Sequence, residues 1–144
     1  MDNLIALFEG EDRPGLYRLT TPVSMATLTS LAETHQTQLV YIDGRTIASK
    51  ADFLQSIAQA MAFPDYFGHN WDALQDLLTD QDWLTGDRAI ILYDQPENFA
   101  QHAPSDWQIA LDILRSTVDY WRQADRPLSV LFQSRTELTG IDPL

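Results

Sequence analysis

Three short apolar runs, LVYI at 39–42, AIILY at 89–93 and LSVLF at 128–132, stand out from an otherwise mixed sequence. None alternates apolar with polar residues, which predicts strands covered on both faces, as in a parallel sheet. A fourth, weaker strand is expected at GLYRL, 15–19. Helical signals lie between the runs. Ser24 precedes Met25, Leu28 and Leu31 at helical spacing. Ser49 with Asp52 reads as a capping box that uses Asp in place of Glu. The stripe Phe53, Leu54, Ile57, Ala58 and Met61 follows it, and Pro64 ends that helix. Ser105 is expected to cap a longer helix carrying Ile109, Ala110, Ile113, Leu114, Val118 and Trp121, ended by Arg126-Pro127. Strands alternating with helices predict one α/β layered domain, a small parallel β-sheet flanked by helices. The tail SRTELTGIDPL, 134–144, carries little pattern and is expected to lie loosely on the surface.

One further segment has a pattern that stability alone does not explain. FPDYFGHNWDALQDLLTD, 63–80, reads as a helix with aspartates at 72, 76 and 80. Like charges four residues apart on a helix repel. Asn70 is a good N-cap, and Asp72 in the first turn suits the positive end of the helix dipole. Asp76 and Asp80 have no such excuse. At 100° per residue the three carboxylates fall within an arc of about 80°, with Trp71, Leu74, Leu77 and Leu78 on the opposite side facing the core. Gln75 and Thr79 flank the acidic stripe. The preceding PDYFGHN presents Tyr66 and Phe67 beside Gly68, where a positive φ is expected. An exposed tyrosine supplies contact area at low entropic cost. On the residues alone, a recognition face and a solvated acidic face both remain open.

Charge sharpens the picture. The 144 residues carry 21 Asp and Glu against 9 Lys and Arg, a formal charge of −12. From Ala51 to Asp87 there is no Lys or Arg, whereas Asp52, Asp65, Asp72, Asp76, Asp80, Asp82 and Asp87 all fall there. Such a field repels phosphate backbones and anionic lipid, which argues against direct nucleic-acid or membrane binding and favours a cationic partner. Apolar residues make up 44%, an ordinary globular value. The absence of cysteine excludes disulfides, thiol chemistry and thiolate metal sites. The N-terminus has no basic n-region and no run is long enough for a membrane span, so a soluble cytoplasmic protein is expected.

The order IDG at 42–44, then a helix, then FPDYFGHNWDALQDLLTD resembles the barstar family, intracellular inhibitors of barnase-type ribonucleases. Pro64, Tyr66, Gly68, Asn70, Asp72, Ala73, Leu74, Asp76, Leu78 and Thr79 match the residue types of that family's motif. The resemblance runs over residues 38–133, with 1–37 as an N-terminal extension, expected to add a strand and a helix to the same domain. It implies a barstar-like layered fold and an antitoxin or immunity-type role in a bacterial cytoplasm. It further implies that the acidic helix and its loop plug the active site of a basic ribonuclease or toxin protein. Tyr66, Asn70, Asp72, Asp76 and Thr79 then become partner-binding residues. Asp76 would stand where a substrate phosphate binds, and Gly68, His69, Gln75 and Asp80 are secondary candidates. The motif in barstar has tryptophan where this chain has Gln75 and leucine where it has Trp71. Those departures leave room for a different basic partner on the same fold.

Other chemistry finds less support. No Gly-rich phosphate loop, nucleophile elbow or His pair at metal spacing is present, and His35, His69 and His102 are scattered. No catalytic residue and no cofactor are expected. Asp72, Asp76 and Asp80 could offer oxygen ligands to Mg²⁺ or Ca²⁺, but a single helix stripe approaches a cation from one side only.

Overall fold

The computed structural model describes residues 2–11, 13–80, 84 and 86–144. The chain runs α1 (Asp2–Glu9), β1 (Leu16–Arg18), α2 (Met25–Thr34), β2 (Thr37–Asp43), α3 (Lys50–Ala60), α4 (Trp71–Leu78), β3 (Arg88–Asp94), α5 (Glu97–His102), α6 (Pro104–Gln123), β4 (Leu128–Gln133) and β5 (Asp142–Pro143). The five strands form one sheet in the order β2-β3-β4-β1-β5. Every pairing is parallel, with Leu39 opposite Ile90, Ile91 opposite Val130 and Leu16 also opposite Val130.

The unbroken apolar runs become the middle of this sheet because both of its faces are covered. On one face Val40, Ile42, Ile91, Tyr93, Val130 and Phe132 pack with Phe53, Leu74 and Trp107 from the helices. On the other face Ile90, Leu92 and Leu131 pack with Leu4, Phe8 and Leu28 of α1 and α2. The layers are therefore helix, sheet, helix, and both helices of the second layer, α1 and α2, come from the first 36 residues. This segment supplies one helix more than its sequence pattern suggests. DNLIALFE is too short for its apolar spacing to stand out.

Several local expectations change. α6 is not capped by Ser105: Pro104 takes its first position, where a missing N–H costs nothing and a fixed φ helps, and Ser105 falls inside the first turn. Ser49 does cap α3, accepting from Asp52 N at 3.1 Å, but Asp52 reaches back to Ala48 N, also at 3.1 Å, rather than to Ser49. α3 ends at Ala60, ahead of Pro64, through Ala62 at φ 52°. The tail is not loose. Leu138 and Ile141 are buried in the core, Leu144 N donates to Arg18 O at 2.9 Å, and β5 pairs with β1.

The IDG sequence has a steric cause. A Cβ on Gly44 would stand 2.1 Å from Asp94 O and 2.5 Å from Gln95 O, so only glycine lets β2 leave the sheet past the end of β3. Asn98 locks the turn that follows, donating to the carbonyls of Gly44, Arg45 and Ile47 at 3.3, 3.2 and 2.9 Å. Among the described residues, no helix is long and apolar enough to cross a membrane.

Candidate functional site

Asn70 starts α4. Its backbone is extended, at φ −137° and ψ 168°, and its Oδ1 accepts from Ala73 N at 2.8 Å. That bond satisfies one of the amides left open in the first helical turn. Leu74 and Leu78 are fully buried, and Trp121 Nε1 donates to Leu78 O at 2.9 Å, tying the C-terminal end of α4 to α6. Trp71 is half-buried against Phe53, with ring centroids 6.1 Å apart, and Lys50 Nζ lies 5.3 Å from its ring centre. Four contacts thus set the rotation of the helix, and the residues between them must face outward.

Those residues are Asp72 and Asp76, both exposed and one helical turn apart. Among the described residues neither carboxylate has a hydrogen-bond or ion-pair partner. Asp80 does not continue the stripe. α4 closes at Leu78, Thr79 caps it by donating its hydroxyl to Gln75 O at 2.9 Å and Asp76 O at 3.3 Å, and Asp80 lies half-buried beyond the helix. A Thr at this point satisfies the last carbonyls instead of propagating the turn, so the expected three-carboxylate stripe is a pair. Gln75 is half-buried at its edge. The sixth aspartate of the charge block, Asp82, lies outside the described residues.

The segment 63–70 is a loop, not the first half of the helix. Phe67 anchors it, 5% exposed, with its ring 5.2 Å from Phe63 and 4.8 Å from His69. Its amide closes a turn onto Pro64 O at 3.0 Å. Tyr66, next to that anchor, is 78% exposed and is the most exposed large hydrophobic side chain among the described residues. The left-handed position is His69, at φ 51°, and not Gly68. His69 Nδ1 lies 3.0 Å from Phe67 O, which helps a histidine hold a conformation more usual for glycine or asparagine. Gly68 is needed for space: a Cβ there would come within 2.9 Å of Asn70 Nδ2, which donates to Gly68 O at 3.3 Å. Beside the loop, an open groove of about 590 Å³ runs along α3 between Leu54, Ala58, Phe63 and Phe67.

The structure therefore brings Tyr66, Asn70, Asp72 and Asp76 into one short loop-and-helix unit. Asn70 and Thr79 already spend side-chain hydrogen bonds on the helix ends, whereas the side chains of Tyr66, Asp72 and Asp76 are exposed to solvent. Among the described residues no three His, Asp or Glu side chains gather at a metal-binding geometry. Asn98, which braces the glycine turn, has no sequence signal. Its role depends on a contact 51 to 54 residues away.

A family model described as Barstar (barnase inhibitor) matches residues 37–133, two thirds of the chain. No curated protein matches. Among solved structures, the Aeropyrum pernix ORC2 protein in its ADP form superposes with a TM-score of 0.58 at 11% identity, over 92% of this chain and 40% of that one. Drosophila ORC bound to DNA gives a TM-score of 0.57 at 15% identity, over 94% of this chain and 37% of that one. This chain spans about two fifths of the length of those structures, and at such identity the likeness is one of fold alone. The loop from β1 to α2, Leu19–Ser24, holds no glycine or lysine with which to cradle a phosphate. The family match is of another kind, because it covers three of the five strands and the acidic helix: the chain belongs to the barstar family.

Proposed function

We propose that this barstar-family chain is a stoichiometric inhibitor of a basic microbial ribonuclease, of antitoxin or immunity type, acting in the cytoplasm of the cell that makes the enzyme. Proteins of this family are inhibitors and not enzymes. The observation that carries the reading is the pair of exposed, unpartnered carboxylates of Asp72 and Asp76 beside the exposed Tyr66, inside the family-matched segment.

In the proposed complex α4 and its loop cover the active site. Asp76 occupies the place of a substrate phosphate and accepts charge-assisted hydrogen bonds from the enzyme's cationic groups. Asp72 pairs with a second cation, Tyr66 packs on an enzyme loop, and Asn70 and Thr79 contact the partner through the polar atoms the helix ends leave over. Gly68, His69, Gln75 and Asp80 lie along the rim. Repulsion between the two carboxylates is exchanged for attraction on binding, and long-range attraction of a basic enzyme speeds encounter. Inhibition is by occlusion, with no cofactor and no turnover.

The test is inhibition of a panel of basic barnase-type ribonucleases by titrated protein, with Asp76→Ala alongside. The wild type is expected to inhibit at one-to-one stoichiometry. As for central residues of interfaces in general, the variant should weaken binding by about 2 kcal/mol or more, roughly thirtyfold. Its thermal midpoint should stay at or slightly above that of the wild type, because an i,i+4 repulsion is gone. Equal inhibition by wild type and variant would place the interface elsewhere. Inhibition of no enzyme in the panel would point to another kind of basic partner, as Gln75 allows.

A further inference from the structure

Where β3 and β4 begin, a cavity of about 230 Å³ is lined by Arg88, Arg122 and Arg126, three of the chain's nine basic residues. The acidic face has no part in it. Leu7 and Phe8 of α1 and Ile90 of β3 form its apolar wall. Gly10, at φ +79°, closes α1 against it, and a Cβ there would come within 2.8 Å of the Arg88 guanidinium.

Each arginine makes contacts that hold the fold. Arg88 donates to Phe8 O; Arg126 donates to Leu84 O and Gly86 O and lies over the Trp121 ring; Arg122 donates to Pro14 O and pairs with Asp119 at 3.1 Å. These contacts do not exhaust the chemistry. A guanidinium carries five N–H donors, and Arg122 Nε is buried without a hydrogen-bond partner among the described residues. Arg88 and Arg126 have no carboxylate partner among the described residues, in a chain with 21 Asp and Glu. Asp119 on Arg122, Asp125 in the cavity lining and the C-terminal ends of α1 and α6 offset much of the positive charge, but a carboxylate or helix end outside the cavity supplies no acceptor within it. Ser129, 3% exposed on the wall, accepts from Gly15 N at 3.2 Å, and its own proton has no acceptor among the described residues. A partly enclosed site thus combines three guanidinium groups, two unused donors and an apolar wall. Burying donors without acceptors is unfavourable, and an oxyanion entering from outside supplies what the chain does not.

We propose that this cavity binds a small organic oxyanion, its carboxylate or phosphate head on Arg88, Arg122 and Arg126 and its compact apolar body against Leu7, Phe8 and Ile90. The site is independent of the ribonuclease-inhibitor reading and uses none of its residues.

The test is an NMR titration of the full chain, following the arginine side-chain Nε–Hε signals, with phenyl phosphate and benzoate as probes and phenol and inorganic phosphate as controls. Saturable shifts confined to Arg88, Arg122 and Arg126 are expected with the two anionic aromatics, weaker ones with phosphate and none with phenol. Loss of one charge-assisted contact in Arg122→Gln should weaken the binding about tenfold. Because Arg122 also braces Pro14, Ser129→Ala serves as a second variant that keeps every guanidinium and should still lose affinity. Absence of saturable shifts, equal shifts at exposed Arg45 and Arg135, or binding of phenol as strong as that of phenyl phosphate would each overturn the proposal.

Discussion

The Tyr93 hydroxyl is buried with no hydrogen-bond partner among the described residues, and so is Glu97 Oε2. The Tyr93 ring is fixed on all sides, 6.1 Å from Phe53, 5.9 Å from Trp107 and 5.8 Å from Phe132. Burial, reinforced by the negative charge of Glu97, raises its pKa well above the ordinary tyrosine value. Tyr41 is pushed up to about 12, first by burial and then by its hydrogen bond to Asp94. Both groups hold their protons more tightly folded than unfolded. Their contribution is therefore complete below an unfolded pKa of about 10 and is lost as pH rises above it. Tyr93→Phe should keep the aromatic cluster, leave stability at pH 7 unchanged or raise it by up to about 1 kcal/mol, and flatten the alkaline decline. Denaturant midpoints of wild type and variant from pH 7 to pH 12 check this; parallel curves would mean that Tyr93 ionises as freely in the fold as outside it.

At the scale of the element, α4 is two turns long, too short to persist without its packing and caps. Leu74 and Leu78 hold it from below, Trp121 holds its C-terminal carbonyl, and Asn70 holds its first turn. Asn70 therefore has a structural duty as well as its proposed place in the interface. Asn70→Ala should destabilise the protein by about 1 kcal/mol through loss of the cap. Asn70→Asp keeps the cap and should stay close to wild type in stability. Comparing thermal midpoints with inhibition for the two variants separates the duties. If Asn70→Asp melts at the wild-type temperature yet binds as weakly as Asn70→Ala, the amide itself meets the partner; if its binding recovers together with its stability, Asn70 acts only by shaping α4.

At the scale of the molecule, the family-matched residues 37–133 cover one face of the sheet with their own helices and leave the other to residues before them. A chain starting at Thr37 would expose Ile90, Leu92 and Leu131, now 3%, 1% and 0% exposed, and would lose β1 from between β4 and β5. Each such side chain contributes about 1.5–3 kcal/mol when buried, against a total stability of roughly 5–15 kcal/mol for a typical domain. The loss is of the same size as the whole. A truncated chain of residues 37–144 should therefore lose its cooperative thermal transition or self-associate, as read by near-ultraviolet circular dichroism and size-exclusion chromatography. A monomer melting at the full-length temperature would show that the second layer is dispensable.

The sequence by itself determined the features that depend on near neighbours. Four of the five strands, the parallel sheet, the Ser49 and Asn70 caps, the buried side of α4 and the outward Asp72 and Asp76 all follow from spacing and side-chain chemistry over a few residues. Motif resemblance added the family. Where the reading failed, competing local signals were resolved by contacts distant in sequence or by a turn too short to show a period. Thr79 ended α4 before Asp80, His69 rather than Gly68 took the left-handed position, and Pro104 displaced Ser105. The tail acquired a strand because Arg18 offered it a carbonyl. Only the tertiary structure decided that Gly44 must pass under the end of β3, that Asn98 braces it, and that three arginines from positions 88, 122 and 126 share one cavity. Each of those depends on which strand ends the topology makes neighbours, and no local pattern of residues carries that information.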